Sequence, residues 1–199
     1  YKTGGDKPSL FNSVTYHSKH SQKGSVRVAF IGAGAYAMGT LIPAFKATGS
    51  SLHSVSSRNG LSASVAAKQF SICEATTDAL SQINGDANTV VIATPHNSHA
   101  ELVLAAIRVG KHVFVEKPLC ISFDELEEIK KQVKSMPNMP TLMVGLNRRF
   151  SPLVNNMKKM LEQDSAPKAF VYSVNAGRVP VNHWVKDAAI GGGRLLGEI

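Results

Sequence analysis

The residues best suited to chemistry follow a short apolar run, HVFV, where the sequence continues Glu116-Lys117-Pro118. A lysine at the end of a strand can hydrogen-bond a substrate hydroxyl. If it is desolvated it can also take the proton, because burial lowers the pKa of a lysine. Pro118 disfavours helical angles at Lys117 and so fixes the direction of the lysine, and the bond between them can be cis. Taken alone, however, the same tripeptide says little, and an ordinary surface turn is the favoured interpretation.

A glycine-rich turn is the second candidate. Residues 26–31 favour a β-strand, the segment GAGAYA follows at 32–37, and a helical pattern comes next. This order is the context in which a G-x-G-x-x-G/A string indicates dinucleotide binding. Gly32 permits the tight turn, Gly34 lets the backbone approach a diphosphate, and Ala37 lets the helix pack on its strand. The start of the helix directs unpaired N–H groups at the phosphates. A plain strand-to-helix turn is the alternative.

The exit of the second predicted strand bears on the choice of cofactor. An acidic residue about 20 positions beyond the glycines would bind the adenosine ribose and repel a 2′-phosphate. That place is held by SSRN at 56–59, which contains no carboxylate. Arg58 could pair with a 2′-phosphate and Ser57 could bind a plain ribose, so charge favours NADP over NAD without excluding either. Arg58 could equally be a solvated loop residue.

A third polar segment, TPHNSH at 94–99, joins a buried strand to a helix. Ligands of an open parallel sheet lie outside the carboxyl ends of its strands. Polar groups in this segment are therefore expected to face the ribose or the nicotinamide side of a cofactor. Either histidine could instead be a capping or surface residue.

The elements that position these segments alternate between residues 26 and 145. Alternating strand and helix patterns predict the α/β class, with a doubly wound, Rossmann-type parallel sheet. The predicted strands are residues 26–31, 52–57, 88–93, 111–115 and 141–145, with a short one near Ile72. The predicted helices are residues 36–47, 62–70, 78–83 and 98–110, with a fifth that begins at Ser122.

Particular residues mark the ends of these helices. Pro43 lies inside the first helix, which predicts either a kink or a late helix start. Ser98 precedes Glu101 by three positions, and Ser122 precedes Glu125 by three, so both pairs predict a capping box. In such a box each side chain satisfies a backbone N–H that the helix leaves unpaired.

The character of the chain changes after residue 146. Helical spacing predicts an amphipathic helix over 153–161, and alternation over 169–175 predicts an antiparallel strand. We predict a leader or inter-domain linker over 1–25, a dinucleotide-binding Rossmann domain over 26–146, and the beginning of an incomplete C-terminal substrate and oligomerisation domain over 147–199. The first residue is Tyr1 rather than Met, so we expect an excised piece of a longer protein.

The composition is that of an ordinary globular protein, with 199 residues, 43% hydrophobic and 18% charged. No apolar run approaches the roughly 20 residues that span a bilayer, and no secretory signal opens the chain, so we expect no membrane partner. Cys73 and Cys120 have neither a disulfide nor a metal-ligand spacing, which favours reduced thiols, a cytoplasmic location and no metal. The net charge of +8 is scattered, which predicts a solvated surface with some attraction for anionic substrates and no nucleic-acid partner.

Several of these segments occur together in one known family. The strings AFIGAGAYA, ATPHNSHAE, GKHVFVEKPL and VGLNRRFSP come in that order, followed by a spaced string from Trp184 through Asp187 to Gly193. Together they resemble the Gfo/Idh/MocA oxidoreductases, the group of glucose–fructose oxidoreductase and inositol dehydrogenase. The resemblance implies hydride transfer between NAD or NADP and a hydroxyl-bearing carbon of a sugar, polyol or nucleotide-sugar. It also implies a C-terminal α/β domain whose open antiparallel sheet often forms the interface of a homo-oligomer.

The resemblance also implies roles for individual residues. Lys117 matches the catalytic or substrate-orienting lysine of the family, and Arg149 and Trp184 are expected near the substrate. The residues expected to bind the cofactor, from the turn, the strand exits and the resemblance together, are Gly32, Gly34, Ala35, Tyr36, Ala37, Ser57, Arg58, Thr94, Pro95, Asn97, His99 and Glu116.

The chain departs from the family pattern near its last residues. Many members continue the triple glycine as G-G-G-x-L-L-D-x-x-x-H, but Gly197 stands at the Asp position and the His would fall beyond Ile199. Glu198 could substitute, or the chain belongs to a subgroup that works with lysine and histidine. The variant string is similar to members fused behind an alcohol-dehydrogenase-like domain and linked to surface-polysaccharide synthesis.

Two other functions compete with the dehydrogenase. A non-catalytic dinucleotide-binding regulatory or interaction module is the main alternative, because Gly197 stands where many family members have a catalytic residue. An S-adenosylmethionine-dependent methyltransferase also uses a glycine turn and a parallel sheet. It typically has an acidic residue at the second strand exit, where this chain has Ser57 and Arg58.

Overall fold

The computed structural model describes residues 12–17, 25–163, 165–175 and 177–193. The strands within them are β1 (Ser13–Thr15), β2 (Arg27–Ile31), β3 (Ser51–Ser56), β4 (Glu74–Thr76), β5 (Thr89–Ile92), β6 (His112–Val115) and β7 (Leu142–Val144). The α-helices are α1 (Ile42–Ala47), α2 (Leu61–Phe70), α3 (Ala79–Asn84), α4 (His99–Arg108), α5 (Phe123–Ser135) and α6 (Pro152–Leu161). A π-helical turn (Ala37–Leu41) precedes α1, and 3₁₀ turns lie at His96–Ser98, Asn147–Phe150 and Trp184–Lys186.

These strands form one sheet in the order β1-β4-β3-β2-β5-β6-β7. The central strand β2 pairs in parallel with β3 on one side and with β5 on the other. The sheet therefore grows outward from β2 in both directions, and the strand order reverses there. Such a reversal opens a crevice at the carboxyl ends of the central strands.

Helices cover both faces of the sheet, because successive side chains of a strand point to opposite faces. Phe30 of β2 packs with Val55 and with residues of α1 and α2. Its neighbour Ile31 packs on the other face with Val103 and Ile107 of α4. The predicted α/β class and the doubly wound, mostly parallel Rossmann sheet are confirmed.

The edge strand β1 is antiparallel to β4, with Ser13 opposite Thr76. It lies in the segment predicted as a leader or linker, where three residues are too few for alternation to stand out. Residues 169–175 form no strand and Val171 is 97% exposed, so the antiparallel strand predicted there is wrong. Alternation shows which side chains share a face, but a strand also needs a neighbour, and no described strand pairs with this segment.

The glycine turn leads directly into helical backbone, because the N–H of Met38 donates to the carbonyl of Gly34 at 2.9 Å. The irregularity that Pro43 predicts is therefore the π-helical turn before it and not a late helix start. Pro43 has no N–H to donate to the carbonyl four residues earlier, and its ring crowds that carbonyl, so the preceding turn widens.

The two predicted capping boxes have different outcomes. The box at the start of α5 is confirmed, since Ser122 accepts from the N–H of Glu125 and the Glu125 carboxylate accepts from the N–H of Ser122. The box at Ser98 and Glu101 is wrong, because Ser98 already has helical angles (φ −100°, ψ −6°) and its hydroxyl donates back to the Pro95 carbonyl at 2.8 Å. A capping side chain needs the extended angles that Ser122 has.

Three further findings bear on the membrane, metal and disulfide expectations. No helix among the described residues is long and apolar enough to cross a membrane. Within the same residues, no group of three His, Cys, Asp or Glu side chains could hold a metal ion. Cys73 and Cys120 are not joined by a disulfide.

Candidate functional site

The turn after β2 brings the backbone close to both neighbouring strands. Gly32 has φ +102°, and its N–H donates to the Ser56 carbonyl at 2.9 Å. A Cβ at this position would overlap the carbonyl of Ala93, so only glycine fits. At Gly34, no described atom other than those of the glycine and its two chain neighbours lies within 4 Å of where a Cβ would stand. The turn is thus closed at Gly32 and open at Gly34, as a cradle for a diphosphate requires.

Two cavities meet at this turn, one on each side of β2. The β3-side cavity has a volume of about 570 Å³ and the β6-side cavity of about 530 Å³. The β3-side cavity is lined by residues that include Gly32, Gly34, Ser56, Ser57, Arg58, Thr94 and Pro95. The β6-side cavity is lined by Gly34, Ala35, Tyr36, Ala37, Ala93, Thr94, Pro95, His96, His99, Glu116, Lys117, Asn147 and Trp184. Because they share Gly34, Thr94 and Pro95, the two cavities form one crevice across the strand ends.

The β3-side cavity contains an unpaired polar group. The hydroxyl oxygen of Ser56 is buried and has no hydrogen-bond partner among the described residues. A buried polar group without a partner costs roughly 1–3 kcal/mol. Ser57 accepts the N–H of Ala63 at 3.1 Å, which leaves its hydroxyl hydrogen to donate, and Arg58 has an exposed side chain. These groups fit the adenosine end of a dinucleotide.

Glu116 and Lys117 lie at the carboxyl end of β6, in the β6-side cavity. Both side chains are half-buried, and the bond between Lys117 and Pro118 is cis. Burial raises the pKa of the Glu116 carboxyl, while the backbone and charge of Lys117 act in the opposite direction. Gly145 leaves room for this carboxyl, because a Cβ there would lie 2.8 Å from Glu116 Oε1. The cavity therefore holds an amine and a carboxyl that differ in charge and sit side by side.

Polar and aromatic groups from distant segments complete the β6-side cavity. The side-chain amide of Asn147 donates to the Tyr36 hydroxyl at 3.2 Å. Trp184 lines the same cavity and is 40% exposed. Tyr36 and Trp184 were predicted in the site, whereas Asn147 was missed. Its place after β7, at another strand exit, was the signal that could have found it.

His96 is a further residue that the sequence prediction missed. Its Nδ1 lies 2.8 Å from the carbonyl of Gly191, and its ring packs edge to face on Trp184. The N–H of Asn97 donates to the Ile190 carbonyl at 3.0 Å. The turn His96–Ser98 thus holds residues 183–191 against the Rossmann sheet and brings Trp184 into the β6-side cavity.

Two predicted residues line neither cavity, and a third has no exposed surface. Asn97 has an exposed side chain and lines neither cavity, and Arg149 is exposed with its guanidinium 5.3 Å from the Phe150 ring. His99 lines the β6-side cavity but is completely buried. Gly197 and Glu198 lie outside the described residues, so the departure from the family pattern stays a sequence prediction.

A family model described as an oxidoreductase family with an NAD-binding Rossmann fold (GFO_IDH_MocA) matches residues 26–146. The chain belongs to this family. The match contains the glycine turn, the segment 94–99 and Lys117, which together form the crevice. The predicted Gfo/Idh/MocA resemblance is confirmed, and with it membership of an oxidoreductase family and a nicotinamide dinucleotide as the class of cofactor. The choice between NAD and NADP and the individual site residues stay predictions.

Named relatives of this Gfo/Idh/MocA chain include several dehydrogenases. The 4-carboxy-2-hydroxymuconate-6-semialdehyde dehydrogenase of Sphingobium sp. is 34% identical over 128 residues, which are 64% of this chain and 40% of that protein. The levoglucosan dehydrogenase of Pseudarthrobacter phenanthrenivorans is 31% identical over 144 residues, covering 69% of this chain and 36% of its own. The crystal structure of myo-inositol 2-dehydrogenase from Lactobacillus plantarum superposes with a TM-score of 0.64 at 26% identity, over 70% and 41% of the two chains. The chain thus spans about two fifths of the length of these relatives.

Proposed function

We propose that the protein is an NAD(P)-dependent dehydrogenase that transfers a hydride between the nicotinamide and a hydroxyl-bearing carbon of a sugar, polyol or nucleotide-sugar. The observation that carries the proposal is the crevice in which two cavities meet at Gly34, with Lys117 in the second. Relatives named levoglucosan dehydrogenase and inositol 2-dehydrogenase support the substrate class.

The chain's own groups divide the crevice into a binding half and a reacting half. Gly34 and the start of the following helix would hold the diphosphate, since the backbone is open there and helix N-termini attract anions. Ser57 and Arg58 would hold the adenosine end in the β3-side cavity. When bound, the nicotinamide donates or accepts the hydride.

Lys117 is the residue that handles the substrate proton in this proposal. Oxidation of an alcohol carbon releases the hydroxyl proton, and the Lys117 Nζ, as the neutral amine, takes it. In the reverse direction the ammonium returns the proton to the carbonyl oxygen. Glu116 sits beside Lys117, and its charge stabilises the ammonium that forms.

The lining of the β6-side cavity suits a polyhydroxylated substrate. The Tyr36 hydroxyl, the Asn147 amide and Lys117 offer hydrogen bonds, and Trp184 offers an aromatic surface for the apolar face of a ring. We also infer that residues 147–199 contribute to a homo-oligomer, which light scattering on the full-length protein would test.

Lys117→Met in the full-length protein tests the proposal. NADH and NADPH binding by calorimetry should stay within about threefold of wild type, while turnover of a polyol and sugar panel falls by about 10²-fold or more. Lys117→Arg is the matched control that keeps the positive charge but cannot take a proton, and it should be nearly as inactive. Unchanged turnover, or binding without turnover in the wild type, would favour the regulatory module. No binding of either cofactor at millimolar concentration would contradict the proposal.

A further inference from the structure

His99, the first residue of α4, lies between two walls of the β6-side cavity. Its side chain is completely buried. The ring Nδ1 is 2.7 Å from the carbonyl oxygen of Pro118, and Nε2 is 2.9 Å from the carbonyl oxygen of Thr94. One imidazole therefore reaches the backbone of both strand exits that line the cavity.

The two contacts cannot both be hydrogen bonds while the ring is neutral. Both carbonyl oxygens can only accept, and a neutral imidazole carries one N–H. Burial lowers the pKa of His99 below its ordinary value of 6.5, although the carbonyl contacts oppose this shift. The neutral ring thus donates to one exit while it packs against the other, and only the protonated ring donates to both.

The position of this ring matters because its two partners, Pro118 and Thr94, belong to the segments that contain Lys117 and line the cavities. Pro118 follows Lys117 directly, so a shift of the Pro118 carbonyl moves the lysine. Thr94 lines both cavities. The Ser98 hydroxyl donates to the Pro95 carbonyl, so in its contact with Thr94 it accepts from the Thr94 hydroxyl. A change in the distance between the two exits therefore changes the distance from the cofactor segment to the lysine.

We propose that His99 is a positioning residue that sets the separation between the Thr94 and Pro118 segments and does not itself touch the cofactor. This rests on the proposed function, because the two segments matter as the holders of the cofactor and of Lys117. It differs from the role that the family resemblance implies, in which His99 lines the cofactor.

Hydrogen–deuterium exchange tests the structural half of the proposal without any substrate. In His99→Gln, whose flexible side chain lacks the rigid ring that spans the two carbonyls, exchange should accelerate in both 94–98 and 116–120. The matched control is His53→Gln, a histidine 5% exposed in β3 that lines neither cavity, and it should leave both segments unchanged. A response in only one segment or in neither, or the same response in the control, would overturn the proposal.

A test on the wild-type protein guards against variants that fail to fold. The chain has seven histidines, so side-chain ¹⁵N spectra are simple to assign. We expect one His99 ring N–H that is protected from exchange with water and is unmoved by saturating NADH. A His99 signal that exchanges freely, or that shifts on NADH addition as directly contacting groups do, would overturn the proposal.

Kinetics separates positioning from direct contact. NADH affinity of His99→Gln should stay within about threefold, while kcat falls about 10- to 100-fold, because small displacements of a reacting group cost that much. His99→Asn should show the same split. The opposite split, weaker NADH binding with kcat unchanged, would overturn the positioning role. If the wild type binds neither NADH nor NADPH, the proposed function fails, and the exchange measurement still decides whether His99 joins the two exits.

Discussion

The imidazole of His96 and the indole of Trp184 pack edge to face, with ring centroids 4.7 Å apart and planes at 78°. His96 Nδ1 must be the donor to the Gly191 carbonyl, because a carbonyl oxygen only accepts. One histidine after β5 therefore contacts the segment 183–191 twice, by ring packing on Trp184 and by a hydrogen bond to Gly191. This contact places an aromatic side chain in the β6-side cavity, which Lys117 also lines.

Trp184 is the only tryptophan of the chain, so tryptophan fluorescence reports on the surroundings of this one indole, which include His96. His96→Ala should shift the emission to longer wavelength and raise quenching by acrylamide, because the indole loses a packing partner worth about 1 kcal/mol. His112→Ala, an exposed histidine on β6, is the control and should leave the spectrum unchanged. An identical emission spectrum for His96→Ala would contradict the contact.

Gly32 and Gly34 should respond differently to the same substitution. Gly34→Ala should change the free energy of unfolding by less than about 0.5 kcal/mol, since the space around it is open. It should weaken NADH binding by about tenfold or more, because the new methyl group occupies the diphosphate cradle. Gly32→Ala should cost about 2 kcal/mol or more of stability, through its positive φ and the overlap with Ala93. Thermal unfolding and calorimetry measure both, and equal effects at the two positions would show that the turn is purely structural.

Arg58 should set the preference between the two cofactors. Arg58→Glu places a carboxylate at the exit of β3, where it repels a 2′-phosphate and accepts from a ribose hydroxyl. NADPH affinity should fall about tenfold or more, and NADH affinity should hold or improve. Arg58→Gln separates loss of attraction from new repulsion and should show a smaller change. Equal NADPH affinity in all three proteins would mean that Arg58 is a solvated loop residue.

Glu116 should make stability depend on pH in a defined direction. Its pKa in the folded state is raised by burial, so its contribution to stability is fully present below the unfolded pKa and is lost as the pH rises through the folded pKa. Glu116→Gln removes this loss, so the variant should be more stable than wild type at neutral pH, with the difference closing in acid. Melting temperatures of the variant and the wild type, taken from acid to neutral pH, measure this difference in stability. A variant less stable at neutral pH would mean that the Lys117 charge outweighs burial.

The sequence predicted most elements of the sheet because their signals are local. Residues 26–37 combine a mostly apolar run with the glycines Gly32 and Gly34, and the structure has the strand and turn there. Ser122 and Glu125 form their capping box because the four residues involved depend only on each other. At Ser98 the same pattern failed, since the 3₁₀ turn before it had already taken the serine into helical angles.

The partners of strands and site residues were harder to predict. Residues 169–175 alternate between apolar and polar side chains but pair with no described strand. Ser13–Thr15 show little alternation, yet they pair with β4 at the edge of the sheet. Asn97 was expected in the site, but His96 beside it lies there instead, because the turn points one side chain inward and the next outward.

The sequence by itself determined the order of strands and helices, the turn that only glycine can make at Gly32, and the polar segments at the strand exits, because these follow from backbone preference and hydrophobic periodicity over a few residues. The tertiary structure decided that His99 joins two of those exits and that His96 holds a segment 95 residues further along the chain. Contacts of that kind depend on which surfaces pack together when distant segments meet in the folded chain, and a pattern over a few residues does not predict them.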